Sequence, residues 1–196
     1  MPIPRRAARA HGYRESVSIA SVWDQPTILV ITGLPGTGKS TLADSIARVV
    51  GAPAFSVDWI LGAIAPSGVM DGVERRVVRG LYERLLGSLL TRQLMLGQSA
   101  VLDCIATDDT IEDWSALAHQ YNARLVMVEC VCSDETVHRS RIEGRTRNIP
   151  GWHEIDWNHV EFMKNELQPL HVPHLVVDAI ESADTNVRTV LQHMAH

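Results

Sequence analysis

Residues 33–41 read Gly-Leu-Pro-Gly-Thr-Gly-Lys-Ser-Thr, and nothing else in the 196-residue chain restricts its fold as strongly. The stretch satisfies G-x-x-x-x-G-K-[ST]. It follows an unbroken β-type run over 27–32 (TILVIT) and precedes a helical pattern over 39–50 with Leu42, Ile46, Val49 and Val50 on one face. At this chain's own Gly, Lys and Ser/Thr frequencies the pattern arises by chance in roughly one such sequence per thousand, before the strand and helix are required. A strand, a glycine-rich turn and a helix in that order make a phosphate-binding loop, in which curled backbone amides and the helix N-terminus converge on a polyphosphate. Gly33, Pro35, Gly36, Thr37 and Gly38 shape the loop, Lys39 carries a mobile charge to the β- and γ-phosphates, and Thr41 is a further phosphate contact. Ser40 places a hydroxyl where it can ligate Mg²⁺, so ATP and Mg²⁺ are the expected ligands.

The rest of the chain alternates short apolar runs with helical patterns. Strands are expected over 54–57, 100–103, 124–131 and 175–178, and helices over 59–64, 71–96, 109–121, 134–144, 157–167 and 184–194, with an irregular stretch over 146–156. In the long helix, Asp71 is the expected cap and Val73, Val77, Leu81, Leu85 and Leu89, spaced four apart, the expected buried row. Asp108 and Asp109 read as caps of the helix that follows. Such alternation implies an α/β fold with a mostly parallel sheet covered on both faces, in one domain over 22–196. Residues 1–21 read as a mobile basic tail carrying Arg5, Arg6, Arg9 and Arg14, with no apolar segment of signal-peptide length after it.

Composition narrows the function. The net charge of −5 argues against nucleic acid or an anionic membrane as a partner, so phosphate must be held locally. The apolar runs are far shorter than the roughly 18 residues of a membrane span. Three cysteines, an odd number, read as free thiols of a cytoplasmic protein. Cys104 follows Asp103 where motor and transporter ATPases carry a glutamate that activates water, no N-K-x-D surrounds Lys39 or Lys164, and no S-G-G-Q is present. Dedicated ATPases, GTPase switches and transporter ATPases are thereby disfavoured.

What remains resembles the small P-loop kinases related to adenylate, gluconate and polynucleotide kinases, including chloramphenicol phosphotransferase and the zeta-toxin kinases. The resemblance is carried by GLPGTGKST at 33–41, SVDWI at 56–60, VLD at 101–103, RSRIEGRTR at 139–147 and PHLVVD at 173–178. It implies a three-layer sandwich with a five-stranded parallel sheet in the order 2-3-1-4-5, and a crevice above the strands' C-terminal ends that takes nucleotide and acceptor. It also implies that Asp58 is the base acting on an acceptor hydroxyl, a helix-capping role being the competing reading. Arg139, Arg141, Arg145 and Arg147 match an arginine-rich lid over 139–156. Arg141 and Arg145, four apart on an expected helix face, are the candidate catalytic arginines, with Arg141 also on the nucleotide. Asp103 is placed to hold Mg²⁺ through a water, to contact the acceptor, or to anchor its loop. Trp59 and Trp152 are further acceptor contacts, and the cluster from Trp152 to His159 reads as packing or an acceptor wall rather than a zinc site.

The leading expectation is an ATP-dependent kinase acting on a hydroxyl of a small molecule, such as a natural product or antibiotic. The alternatives are a nucleotide-dependent regulatory or binding module with slow hydrolysis, and a zeta-toxin-like nucleotide-sugar kinase.

Overall fold

The structure, a computed structural model, describes residues 25–195; the expected basic tail over 1–21 lies outside them. β1 (Thr27–Thr32) is buried along its whole length and forms the centre of the sheet. The other strands are β2 (Ala54–Ser56), β3 (Ala100–Asp103), β4 (Arg124–Val131) and β5 (Leu175–Asp178), in the order β2-β3-β1-β4-β5 with every neighbouring pair parallel. The helices are α1 (Lys39–Val50), α2 (Val57–Ile64), α3 (Arg75–Met95), α4 (Asp108–Gln120), α5 (Glu135–Glu143), α6 (Trp157–Glu166) and α7 (Ala183–Met194). No helix of the described residues is long and apolar enough to cross a membrane.

The two-residue period of β1 divides the core. Leu29 and Ile31 point to the layer of α1 and α7, where they meet Leu42, Ile46, Val190 and Met194. Ile28 and Val30 point to the opposite layer, against Leu86 and Leu90 of α3 and Trp114 of α4. With both faces covered, β1 reads as a continuous apolar run rather than an alternation.

Three local expectations are corrected. Asp71 does not cap the long helix: Gly72 takes a left-handed φ of 71°, the chain turns again, and α3 starts at Arg75 after Glu74. Its buried row is Leu86, Leu90 and Leu94, while Val77, Leu81 and Leu89 of the expected row are exposed. α3 carries two adjacent apolar rows about 100° apart, and contact with the sheet selects the second. At α4 the cap is Thr107, whose hydroxyl accepts from the Thr110 N–H, whereas the Asp108 carboxylate accepts from the backbone N–H of His171.

Candidate active site

The phosphate-binding loop leaves β1 on glycines with left-handed φ, at 131° for Gly33, 88° for Gly36 and 86° for Gly38. A Cβ on Gly33 would collide with the Cys130 carbonyl of β4, so only glycine lets the loop start this close to the sheet. Inside the loop the Thr37 hydroxyl donates to the Leu34 carbonyl at 2.8 Å, and Lys39 Nζ donates to the same oxygen at 3.1 Å. α1 has no side-chain cap at Gly38, and Ser40 and Thr41 stand exposed on its first turn. Its leading amides therefore face the loop's concavity, the arrangement that suits an anion.

A histidine not anticipated from the sequence secures this loop. His138 of α5 is 2% exposed, its Nε2–H donates to the Pro35 carbonyl at 2.7 Å, and its ring meets Trp157 edge-on with centroids 5.2 Å apart. Because a carbonyl can only accept, the proton sits on Nε2, and burial lowers the imidazole's pKa and favours the neutral ring. The signal in the sequence was the i, i+4 pair of His138 with the buried Ile142, which marks the inward face of α5.

Two carboxylates meet at the C-terminal edge of the sheet. Asp103 ends β3 opposite Ser56 of β2, and Asp58 stands two residues past Ser56 in the first turn of α2. Both line a cleft of about 810 Å³ that is also lined by Lys39 and Ser40. Asp58 does not serve as the helix cap, since Ser56 holds that position; its carboxylate instead accepts from Arg147 Nη1.

The lid arginines are arranged differently from the helical expectation. α5 stops at Glu143, so Arg141 and Arg145 do not share a helix face. Arg141 reaches the Ala179 carbonyl just beyond β5, at 2.8 Å, and exposed Arg139 pairs with Glu143. Arg145 and Arg147, on irregular chain, line the cleft. Arg147 was read as one of four lid residues and is the one in contact with the candidate base. Burial, and then the charge of Arg147, lower the pKa of Arg145. Nε and Nη2 of both arginines, and Nε1 of Trp152, are buried without a hydrogen-bond partner.

The irregular stretch after Arg147 is docked on α2. A Cβ on Gly62 would lie 2.6 Å from the Pro150 carbonyl, and one on Gly151 would collide with the Gly62 carbonyl, so two glycines allow the lid backbone to rest on the helix that carries Asp58. Trp59 and Trp152 line the cleft. α3 adds Arg75, Arg79 and Tyr82, which the sequence did not single out. Burial pushes the Tyr82 phenol up to about 12, which keeps it protonated as a hydrogen-bond donor.

A hydroxyl from Ser40 and the carboxylate of Asp103 are hard oxygen donors suited to Mg²⁺, which completes its octahedron with phosphate oxygens and waters rather than a protein cage. Among the described residues no group of three or more His, Cys, Asp or Glu side chains could hold a metal ion. That includes the cluster from Trp152 to His159.

A family model described as an AAA domain matches residues 28–170. A stretch of 57 residues is 40% identical to the uncharacterized protein Rv2004c of Mycobacterium tuberculosis, covering 29% of this chain and 11% of that protein. Among solved structures, the chain is similar to a gluconokinase from Sinorhizobium meliloti 1021, with a TM-score of 0.64 and 20% identity over 87% of this chain and 92% of that one. It is also similar to Chaetomium thermophilum Kti12 in complex with ADP-AlF3 (TM-score 0.62, 14% identity, 85% and 96% covered). The APS kinase CysC of Mycobacterium tuberculosis, in complex with AMPPNP and APS, gives a TM-score of 0.55 and 17% identity over 88% and 99%. With its phosphate-binding loop at the head of a 2-3-1-4-5 sheet and a matching model over 28–170, the chain belongs to the AAA domain family and has the fold of the small P-loop kinases.

Proposed function

We propose that this protein is an ATP-dependent kinase that transfers the γ-phosphoryl group to a hydroxyl of a small molecule. The observation that carries this reading is the pairing of Asp58 with Arg147 in the cleft that also contains Lys39 and Ser40. A binding module has no need of a carboxylate on the acceptor side of its nucleotide, whereas phosphoryl transfer needs a group to orient the attacking hydroxyl and accept its proton. The structures solved with AMPPNP and with ADP-AlF3 support ATP as the donor.

In this mechanism the loop amides and Lys39, which leaves the Leu34 carbonyl, take the β- and γ-phosphates. Arg147 turns from Asp58 to the incoming phosphate and frees the carboxylate to hold the acceptor hydroxyl. The oxygen–phosphorus bond to the acceptor forms as the bond between the γ-phosphorus and the β–γ bridging oxygen breaks; the hydroxyl proton passes to Asp58 and ADP leaves. Arg145, with its Nε and Nη2 buried and unpartnered, meets charge that develops on the migrating group. Mg²⁺, held by Ser40 and through a water by Asp103, would neutralise phosphate charge.

Three free thiols support a reducing cytoplasmic setting, and the net charge of −5 supports a small acceptor over a nucleic acid. The test is ATP consumption over a panel of hydroxyl-bearing metabolites, with mass spectrometry of products. A product heavier by one phosphoryl group in wild type, and its loss in Asp58→Asn, supports the reading; hydrolysis to free phosphate with no phosphorylated product indicates a nucleotide-dependent module.

A further inference from the structure

Resting on the kinase reading only in that ATP is the ligand, we infer that His138 is a positioning residue for nucleotide binding. By holding the Pro35 carbonyl it fixes the peptide between Pro35 and Gly36, which presets the Gly36 N–H to donate to a phosphate oxygen of ATP.

The loop cannot hold this peptide by itself. Gly33, Gly36 and Gly38 supply the positive φ values that the turn needs, but a glycine leaves such a conformation as readily as it enters it. The loop's internal hydrogen bonds converge on a different carbonyl: the Thr37 N–H, the Thr37 hydroxyl and Lys39 Nζ all donate to Leu34. One of these donors, Lys39, departs when it takes up phosphate. Among the described residues the Pro35 carbonyl is held by His138 alone, at 2.7 Å and across 103 residues of sequence. That bond need not change when nucleotide enters.

Every described peptide bond is trans, so the Gly36 N–H points opposite to the Pro35 carbonyl and therefore away from α5. Among the described residues it has no hydrogen-bond partner, and Gly36 lines the cleft together with Lys39 and Ser40. Rotation of this peptide would exchange an inward donor for a carbonyl oxygen, placing negative partial charge beside the phosphates.

His138 is itself firmly placed. Its ring stands at 88° to that of Trp157, whose indole N–H donates to Glu161 at 3.1 Å and whose face carries Lys164 Nζ 4.8 Å from the centroid. On the loop side, a Cβ on Gly36 would lie 2.7 Å from Ile142 Cδ1 and 3.1 Å from His138 Cδ2, so glycine is what lets α5 come this close. Burial disfavours the charged imidazole, and Lys164 of α6, Arg141 of α5 and Lys39 of α1 add to that effect, while Glu135 of α5 is paired with Lys164 at 2.9 Å. A neutral ring protonated on Nε2 is the form that donates to a carbonyl without adding a buried charge.

The test measures AMPPNP affinity of the full chain with Mg²⁺ by calorimetry at about pH 8, where the imidazole is neutral, in wild type, His138→Gln and His138→Leu, each checked by melting. His138→Leu removes the donor and is expected to weaken AMPPNP about 10-fold, whereas His138→Gln still offers an N–H and is expected to stay within about 3-fold of wild type. A packing role predicts the reverse order, because leucine suits a buried site better than an amide does. In protein carrying ¹⁵N-labelled glycine, the Gly36 resonance is expected to move in nucleotide-free His138→Leu more than in His138→Gln, while Gly51 and Gly97, which line a separate pocket, stay unchanged. AMPPNP binding undiminished in His138→Leu, or stronger there than in His138→Gln, overturns the proposal. If His138→Leu does not melt cooperatively, wild type carrying ¹⁵N-labelled histidine decides: a His138 proton on Nε2 with and without AMPPNP supports the proposal, and a bare Nε2 in either state overturns it. Failure of AMPPNP to bind wild type is a different result, which removes the kinase reading and this inference with it.

Discussion

At the scale of single residues the proposed mechanism turns on side chains that would exchange partners as the site fills. Lys39 rests on the Leu34 carbonyl and Arg147 on Asp58, both short-range contacts that a phosphate can replace. Lys39→Ala is expected to lower transfer by roughly two to three orders of magnitude while the melting temperature stays near wild type, because one cation aimed at developing charge is removed from an otherwise intact loop. Asp58→Asn is expected to bind AMPPNP normally and lose about 10²-fold or more in single-turnover transfer, since the amide mimics the shape but cannot take a proton. His138 gives a prediction of a different kind. Burial lowers its pKa below 6.5, so the unfolded chain binds the proton more readily than the folded one. Its stabilising contribution is complete above the unfolded value and is lost as pH falls through the folded one. His138→Gln can still donate to the Pro35 carbonyl but does not titrate. Thermal melts between about pH 8 and 5 should therefore fall more steeply for wild type than for the variant, and parallel curves would contradict the assignment.

The elements were legible in the sequence wherever one local signal dominated. β1, β3, β4 and β5 and the first helix begin and end where the residues indicate, because apolar runs bounded by turns leave a strand or helix little freedom. α3 was legible as a helix but not in its orientation: Leu89 and Leu90 belong to neighbouring apolar rows, and only the sheet decides between them. Leu90→Ala is accordingly expected to cost about 2–5 kcal/mol and Leu89→Ala below about 1 kcal/mol, read by denaturant unfolding. The lid was legible as a collection of arginines but not as a geometry. The expected end of the helix at 144 is within one residue of the observed one; which arginine faces the carboxylate is set by the irregular chain after Gly144, which carries no periodicity to reveal it. Nor did the sequence show that Gly62 and Gly151 dock the lid onto α2, since a glycine marks close approach without naming its partner. Gly62→Ala is expected to displace residues 149–152 and lower transfer several-fold with the phosphate-binding loop intact, detectable as increased hydrogen exchange in that segment while AMPPNP affinity is retained. Unchanged exchange there would mean the backbone contact does not hold the lid.

At the scale of the whole molecule, the sheet order places every element of the proposed chemistry at one edge. β1 ends in the phosphate-binding loop, β3 in Asp103, β2 leads to Asp58, and the chain after β4 returns as α5 and the lid. The parallel sheet with both faces covered was legible because alternation allows few other arrangements, and the strand order followed from the resemblance to the small P-loop kinases. The acceptor side was not, since it is assembled from α3, the lid and α6, whose side chains converge only in three dimensions. The most direct measurement is a mass-resolved reaction of the full chain with Mg²⁺, ATP labelled in its γ-phosphate, and a pool of small hydroxyl-bearing molecules. The expected result is label in a pool member heavier by one phosphoryl group, formed roughly two to three orders of magnitude more slowly in Lys39→Ala. Label appearing only as inorganic phosphate, at a rate indifferent to the pool, would contradict the kinase account.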